Sequence, residues 1–210
     1  MLPGPNYIYH CPECPNLISN GSLASGNTNG VKIYSDGKQI APMLPKFPEI
    51  TRCSKCDTIF WLSKAKEAGK YDYRHFFDKP CENAERARFL TNDEYWLALE
   101  NKIYDSEEEE KFIRQAFWWG LNDKERNGIP NPFSDEEMNR LSTNLKRLLE
   151  LLDEKKVHQK IMTAEIYRIM GDFEKCEIIL GSINYPHLEW MITAYKRKCQ
   201  EKNDRVFQLK

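Results

Sequence analysis

Residues 11–14 read Cys-Pro-Glu-Cys and residues 53–56 read Cys-Ser-Lys-Cys, two CxxC pairs with 38 residues between Cys14 and Cys53. A two-residue gap lets one tight turn aim both sulfurs at a common point. Two such turns complete a tetrahedral four-sulfur shell, with metal–sulfur distances of ~2.3 Å. Soft thiolates in that geometry select zinc or iron, and a four-cysteine set among β-like segments points to one structural Zn²⁺ on Cys11, Cys14, Cys53 and Cys56. Four buried free thiols and a redox CxxC are the competing readings. The redox motif belongs at a helix start in a βαβ setting, which neither pair has. A closed shell leaves no position for a reacting water, so catalysis at the metal is not expected. His10, beside Cys11, and Cys81 are subsidiary ligand candidates.

Around these pairs, residues 1–63 are rich in Pro, Gly, Asn and Ser, with short β-like runs. Val31–Ser35 and Lys38–Ala41 flank Asp36-Gly37, which predicts a β-hairpin with a type I′ turn. Pro42, Pro45 and Pro48 break regular structure, and Ile59–Leu62 form an apolar run after the second pair. The expectation is a small β zinc ribbon over 1–63, in which the metal orders a segment with little core of its own. Zinc ribbons usually carry Gly after the second Cys of each knuckle; here Pro15 and Asp57 stand there. Asp tolerates left-handed geometry. Proline fixes φ and has no N–H to offer a sulfur, so the first knuckle is expected to differ in shape.

Residues 64–90 read as a connector, with the cluster Tyr71, Tyr73, His75, Phe76 and Phe77 as a hydrophobic strap. Residues 91–210 read as helix after helix. Thr91 with Glu94, Ser106 with Glu109, and Ser134 with Glu137 each fit a capping box. Helices are expected near 92–101, 107–122, 135–153, 156–170, 173–182 and 187–202, with Pro186 at a helix start. The run Glu107–Glu110 suits a helix N-terminus and reads as a solvated face. Trp118 and Trp119 read as helix–helix packing. The fold class is α+β: a small N-terminal β zinc ribbon followed by an all-α region.

Composition narrows the function classes. The chain has 210 residues, 40% hydrophobic and 12% aromatic, enough for a buried core. Its net charge is −1, with five Lys/Arg against four Asp/Glu in residues 1–63, so the basic stripe typical of nucleic-acid binders is missing. Seven cysteines are an odd number, and the four in paired CxxC motifs read as metal ligands in a reducing compartment. The first twenty residues hold no apolar run, and the uncharged stretch 16–31 is too polar to span a membrane, so a cytoplasmic location is expected. Four histidines (His10, His75, His158, His187) are scattered, and no GxSxG, Walker-type loop or dinucleotide fingerprint occurs.

Residues 161–183, IMTAEIYRIMGDFEKCEIILGSI, resemble one tetratricopeptide (TPR) repeat. Ala164 and Tyr167 fall on the first helix, Gly171-Asp172-Phe173 on the turn, and Cys176 at the small position of the second helix; no tandem copy follows. With CPEC, SDGKQIAPMLP, CSKCDTIFWL and AFWWGLND, the chain resembles uncharacterised bacterial proteins that join an N-terminal zinc ribbon to a helical TPR-like half. That resemblance implies a fold and a metal but no activity. The expectation is a non-enzymatic adaptor for a protein partner, with Tyr167, Arg168 and Tyr195 as candidate contact residues. Cys176 and Cys199 read as small apolar or surface residues. Nucleic-acid association through the ribbon is the alternative, and an enzyme site between ribbon and helices a third.

Overall fold

A computed structural model describes residues 1–72, 83–130 and 133–209. Tyr73–Phe77 of the expected strap, with His75, and Cys81 lie outside the described residues. The described chain runs β1 (Leu2–Pro3), β2 (Asn6–His10), β3 (Leu17–Asn20), β4 (Leu23–Ser25), β5 (Lys32–Ile33), β6 (Gln39–Ile40), β7 (Ile50–Arg52), β8 (Ile59–Trp61), β9 (Glu67–Tyr71) and β10 (Glu85–Arg86). Helices follow as α1 (Asn92–Glu100), α2 (Glu107–Arg126), α3 (Asp135–Leu151), α4 (Val157–Ile169), α5 (Phe173–Gly181) and α6 (Glu189–Gln200). The class is α+β, small sheets first and helices after.

Two compact units form, and they do not follow the composition boundaries at 63 and 90. One comprises Met1–Val31 and Ile40–Ile103, the other Lys32–Gln39 and Tyr104–Lys210. Helix α1 therefore belongs with the sheets, and the Asp-Gly hairpin tip with the helices.

In the first unit, four strands pair in the order β10-β3-β2-β9. β2 and β3 are antiparallel, with Ile8 opposite Ser19 and His10 opposite Leu17. β7 and β8 form a separate antiparallel hairpin, with Ile50 opposite Trp61. Ile18, Phe60, Leu62 and Ala87 pack with Cys11 and Cys53 into one buried cluster. Helix α1 carries the complete capping box expected at Thr91 and Glu94. The Glu94 carboxylate does more than cap: Arg88 donates to it at 2.6 and 2.7 Å, and Arg52 of β7 at 3.0 Å. This fork ties the helix start to the β7–β8 hairpin, which explains why α1 groups with the sheets.

In the second unit, the other two expected caps divide. Ser134 and Glu137 make both halves of the box. Ser106 accepts from Glu109 N–H, but the Glu109 carboxylate accepts from Asp105 N–H and leaves the box half made. Along α2, Ile113, Phe117 and Leu121 are buried at four-residue steps, with Trp118 fully buried beside them. Trp119 is half-buried and donates to Asp36 O. Of the acidic run, Glu110 is not on a solvated face: it is buried and pairs with Arg114 at 2.7 Å and Arg147 of α3 at 3.0 Å. α4 and α5 are joined through Gly171, at φ 80°, and the Asp172 cap.

The Asp-Gly hairpin forms with a different turn from the one expected. Gly37 has φ 78°, but Asp36 is outside the left-handed region, so the turn is not type I′. Gly37 N–H donates to Tyr34 O and Tyr34 N–H to Lys38 O, the pattern of a type I turn closed by a glycine bulge. The choice follows from burial. Asp36 is 1% exposed, accepts from Lys38 N–H and Asn122 Nδ2, and pairs with Arg126 of α2.

Glu94 supports a pH prediction. The Arg88 bonds, with Thr91 N–H and Arg52, outweigh burial and hold it at about 2. A depressed carboxylate contributes stability that is complete above its unfolded value of ~4.3 and lost as pH falls through the folded value. Glu94→Gln is expected to cost on the order of 1–2 kcal/mol at neutral pH, discounted because Arg88 is partly exposed. The difference from wild type should shrink between pH ~5 and ~2 in urea titrations; a difference constant over that range would contradict the assignment. Thr91→Ala and Ser134→Ala should each cost ~1 kcal/mol by the same measurement.

Candidate metal centre

Each CxxC sits at the turn of a β-hairpin. β2 ends at His10 and β3 begins at Leu17, so residues 11–16 form one loop; β7 ends at Arg52 and β8 begins at Ile59, so residues 53–58 form the other. The loops have equal length and matching hydrogen bonds. Cys11 N–H donates to Asn16 O and Cys53 N–H to Thr58 O, both at 2.9 Å. Glu13 and Cys14 N–H groups donate to Cys11, and Lys55 and Cys56 N–H groups to Cys53. Asn16 N–H donates to Cys14 and Thr58 N–H to Cys56.

The expectation about Pro15 divides. The sulfur of each second cysteine takes its N–H from two residues on, so the position held by Pro15 or Asp57 is not the donor. The first knuckle does differ in shape from the second at this position. Asp57 takes φ 62° and donates to Cys53 O at 3.0 Å, a bond Pro15 has no N–H to make.

The four sulfurs converge. Cys11 and Cys56 Sγ are 3.5 Å apart, Cys14 and Cys53 Sγ 3.6 Å, and all four lie within 4.8 Å of one another. A disulfide needs ~2.05 Å, and these thiols are free. A tetrahedron with metal–sulfur bonds of ~2.3 Å has edges of ~3.8 Å, so the donor set fits a metal ion at its centre. Among the described residues, this is the one cluster of metal-ligating side chains. His10 is exposed and outside it.

The thiols titrate apart. Burial pushes Cys53 up, but its N–H donors and Asn16 Nδ2 outweigh burial and bring it to about 6. Burial dominates at Cys11 and raises it to about 12. The Thr58 side chain and N–H lower Cys56. Cys53 and Cys56 are thus shifted toward thiolate and Cys11 and Cys14 away from it, and the protons that remain are released when a cation enters.

Three outer groups escaped the sequence reading. Asn16, 3% exposed, donates from Nδ2 to Cys53 Sγ at 3.4 Å and to Glu85 Oε2 at 3.0 Å. Ser54 Oγ donates to the same Glu85 oxygen at 2.5 Å. Glu85 arrives from β10, which pairs parallel with β3. Nothing in the spacing marks Glu85, because only the sheet brings it 69 positions back to Asn16. Asn16 and Ser54 lie within or beside the motifs, and their polarity next to a cysteine was the available signal.

The candidate contact residues fall elsewhere. Arg168 is 0% and Tyr195 1% exposed, so neither forms an open surface; Tyr167 is half-buried, with Lys175 Nζ 4.4 Å from its ring centre. Helical period turns Arg168 inward, where Glu165 of the same helix receives it at 2.6 and 2.7 Å. Cys176 and Cys199 are buried in the same core, and burial raises both thiols. No helix among the described residues is long and apolar enough to cross a membrane. Comparison with models of known families, with curated proteins and with solved structures gives no match.

Pro15→Ala is expected to leave metal stoichiometry unchanged, since the N–H it restores has no sulfur to serve. Asp57→Val should cost ~1–2 kcal/mol, because a β-branched residue is strained at positive φ. Metal analysis and thermal melts of both variants check this pair.

Proposed function

We propose that Cys11, Cys14, Cys53 and Cys56 hold one structural Zn²⁺, and that the protein is a non-enzymatic interaction module or adaptor for a protein partner. The observation that carries the reading is the closed sulfur cluster. Four thiolates and backbone N–H donors fill the space around one cation, and no ligand position is left for substrate or water. Thiolate donors in a tetrahedron favour zinc among common divalent ions. The bound cation would join two hairpins that are distant in sequence and share a small core. Activity is then carried by surfaces that the clamp arranges, rather than by the metal. The α4–α5 hairpin, with Ala164 and Cys176 both fully buried at its small positions, supports a TPR-like reading of the helical unit. The near-balanced charge disfavours nucleic acid. Free thiols suit a reducing cytoplasm.

Protein purified without added metal should contain about one equivalent of zinc by elemental analysis. Less than half an equivalent, or an unchanged melting temperature in Cys53→Ser, would sink the site. Zinc affinity should fall as pH is lowered, since protons compete for the thiolates; competition with a chromogenic chelator at several pH values measures this. Affinity capture with the full chain tests the adaptor reading, and failure to recover any reproducible protein counts against it.

A further inference from the structure

The segment after α6 is held in a way that resembles a bound peptide. It leaves the helix through Lys202, at φ 49°. Its backbone is then read group by group. Arg168 donates to Asn203 O, and to Arg205 O at 2.9 Å. Glu125 accepts from Val206 N–H at 3.2 Å. Ser35 N–H donates to Phe207 O at 2.9 Å, and Ser35 Oγ accepts from Phe207 N–H at 3.2 Å. Leu209 N–H donates to Ile33 O at 2.7 Å, and Gln208 bridges antiparallel to Tyr34. Phe207 and Leu209 both pack against the helical core, and the Phe207 ring lies 5.5 Å from the Tyr195 ring, edge on, and 5.0 Å from the Arg168 guanidinium. Backbone pairing to a strand plus one aromatic pocket is the chemistry of strand-addition peptide recognition.

Two cavities border the segment. Asp204 and Arg205 border a cavity of about 560 Å³ walled by Met138, Leu141, Leu145 and Met170. Leu209, at the other end, borders one of about 320 Å³ walled by Trp119, Ile161, Met162 and Met191. Each cavity carries two methionines, side chains that adapt to different neighbours, beside polar groups such as Ser142 in the first and Gln115 in the second.

We propose that the helical unit carries a binding groove for an extended protein segment with an aromatic anchor, and that residues 203–209 occupy it in cis. The external ligand is a short extended segment of a protein partner, with an aromatic residue in place of Phe207 and an aliphatic residue two positions on. It competes with the chain's own segment and extends into the two cavities. Arg168 and Tyr195 then belong to the groove floor, hidden because the groove is filled. This rests on the interaction-module reading and names its surface. A partner captured through another face would keep that reading while the groove failed.

The test uses the full chain. A fluorescein-labelled peptide of residues 203–209 (Asn-Asp-Arg-Val-Phe-Gln-Leu) is titrated into wild type and Phe207→Ala, with polarisation as readout. The variant, whose own anchor is lost, should bind at least tenfold tighter than wild type, and a peptide with Ala for Phe should not compete. Equal binding by a variant that retains its helical circular dichroism would overturn the proposal. Should Phe207→Ala fail to fold, hydrogen exchange on wild type decides. The Val206, Phe207 and Leu209 amides should exchange at least tenfold faster than those of Ile166 and Tyr195, through an opening that leaves α4 and α6 intact. Exchange of all five at one common rate would show a segment that leaves only on unfolding, and the groove would be discarded.

Discussion

Backbone N–H groups of Glu13, Cys14, Asn16, Lys55, Cys56 and Thr58 point at four cysteine sulfurs, and the first unit is arranged around that convergence. The sulfurs stand 3.5 and 3.6 Å apart, and four thiolates at that spacing would repel one another. Donors on every side lower that cost, and a cation at the centre removes it. Each donor is fixed by a hairpin of defined register, so the strands exist in service of the turns they close. Ile18, Phe60 and Leu62 pack directly on Cys11 and Cys53, which makes the sulfurs part of the core as well as of the site. The unit's strands are only two to five residues long, and buried side chains such as those of Ile50, Trp61, Tyr95 and Leu99 supply the rest of its core.

The second unit solves a different problem. It buries Asp36, Glu110, Glu165 and Arg168, and a buried charge is tolerated only when paired and hydrogen-bonded. Each has its partner: Arg126 for Asp36, Arg114 and Arg147 for Glu110, and Arg168 for Glu165. Such pairs add little net stability but penalise every packing that separates them. The hairpin tip at Ser35-Asp36 joins the helices for this reason. Its polar groups meet Asn122, Arg126, Tyr195 and Phe207, whereas no apolar side chain of the tip would hold it there.

The inward turn of Arg168 shows how residue type misleads. Arginine on a repeat-like helix reads as a surface contact, because arginine is rarely buried. Here Glu165, one turn back, receives the guanidinium, and Tyr195 donates to Ser35 O. Both also border the segment 203–209, which no local pattern connects to them.

The sequence by itself determined the elements that depend on near neighbours. The CxxC spacing marked the sulfurs, and S/T-x-x-E marked three helix starts. These signals work because a cap or a turn is complete within a few residues. Even Asp57 in left-handed geometry was legible, since few other side chains accept that φ. Only the tertiary structure decided the rest: that Glu85 reaches the sulfur cluster, that the Asp-Gly turn is a bulged type I turn, that Glu94 ties α1 to β7, and that the hairpin tip packs with helices far along the chain. Each is a pairing between groups tens of residues apart. Its free energy depends on burial and partner geometry that no local window of sequence contains.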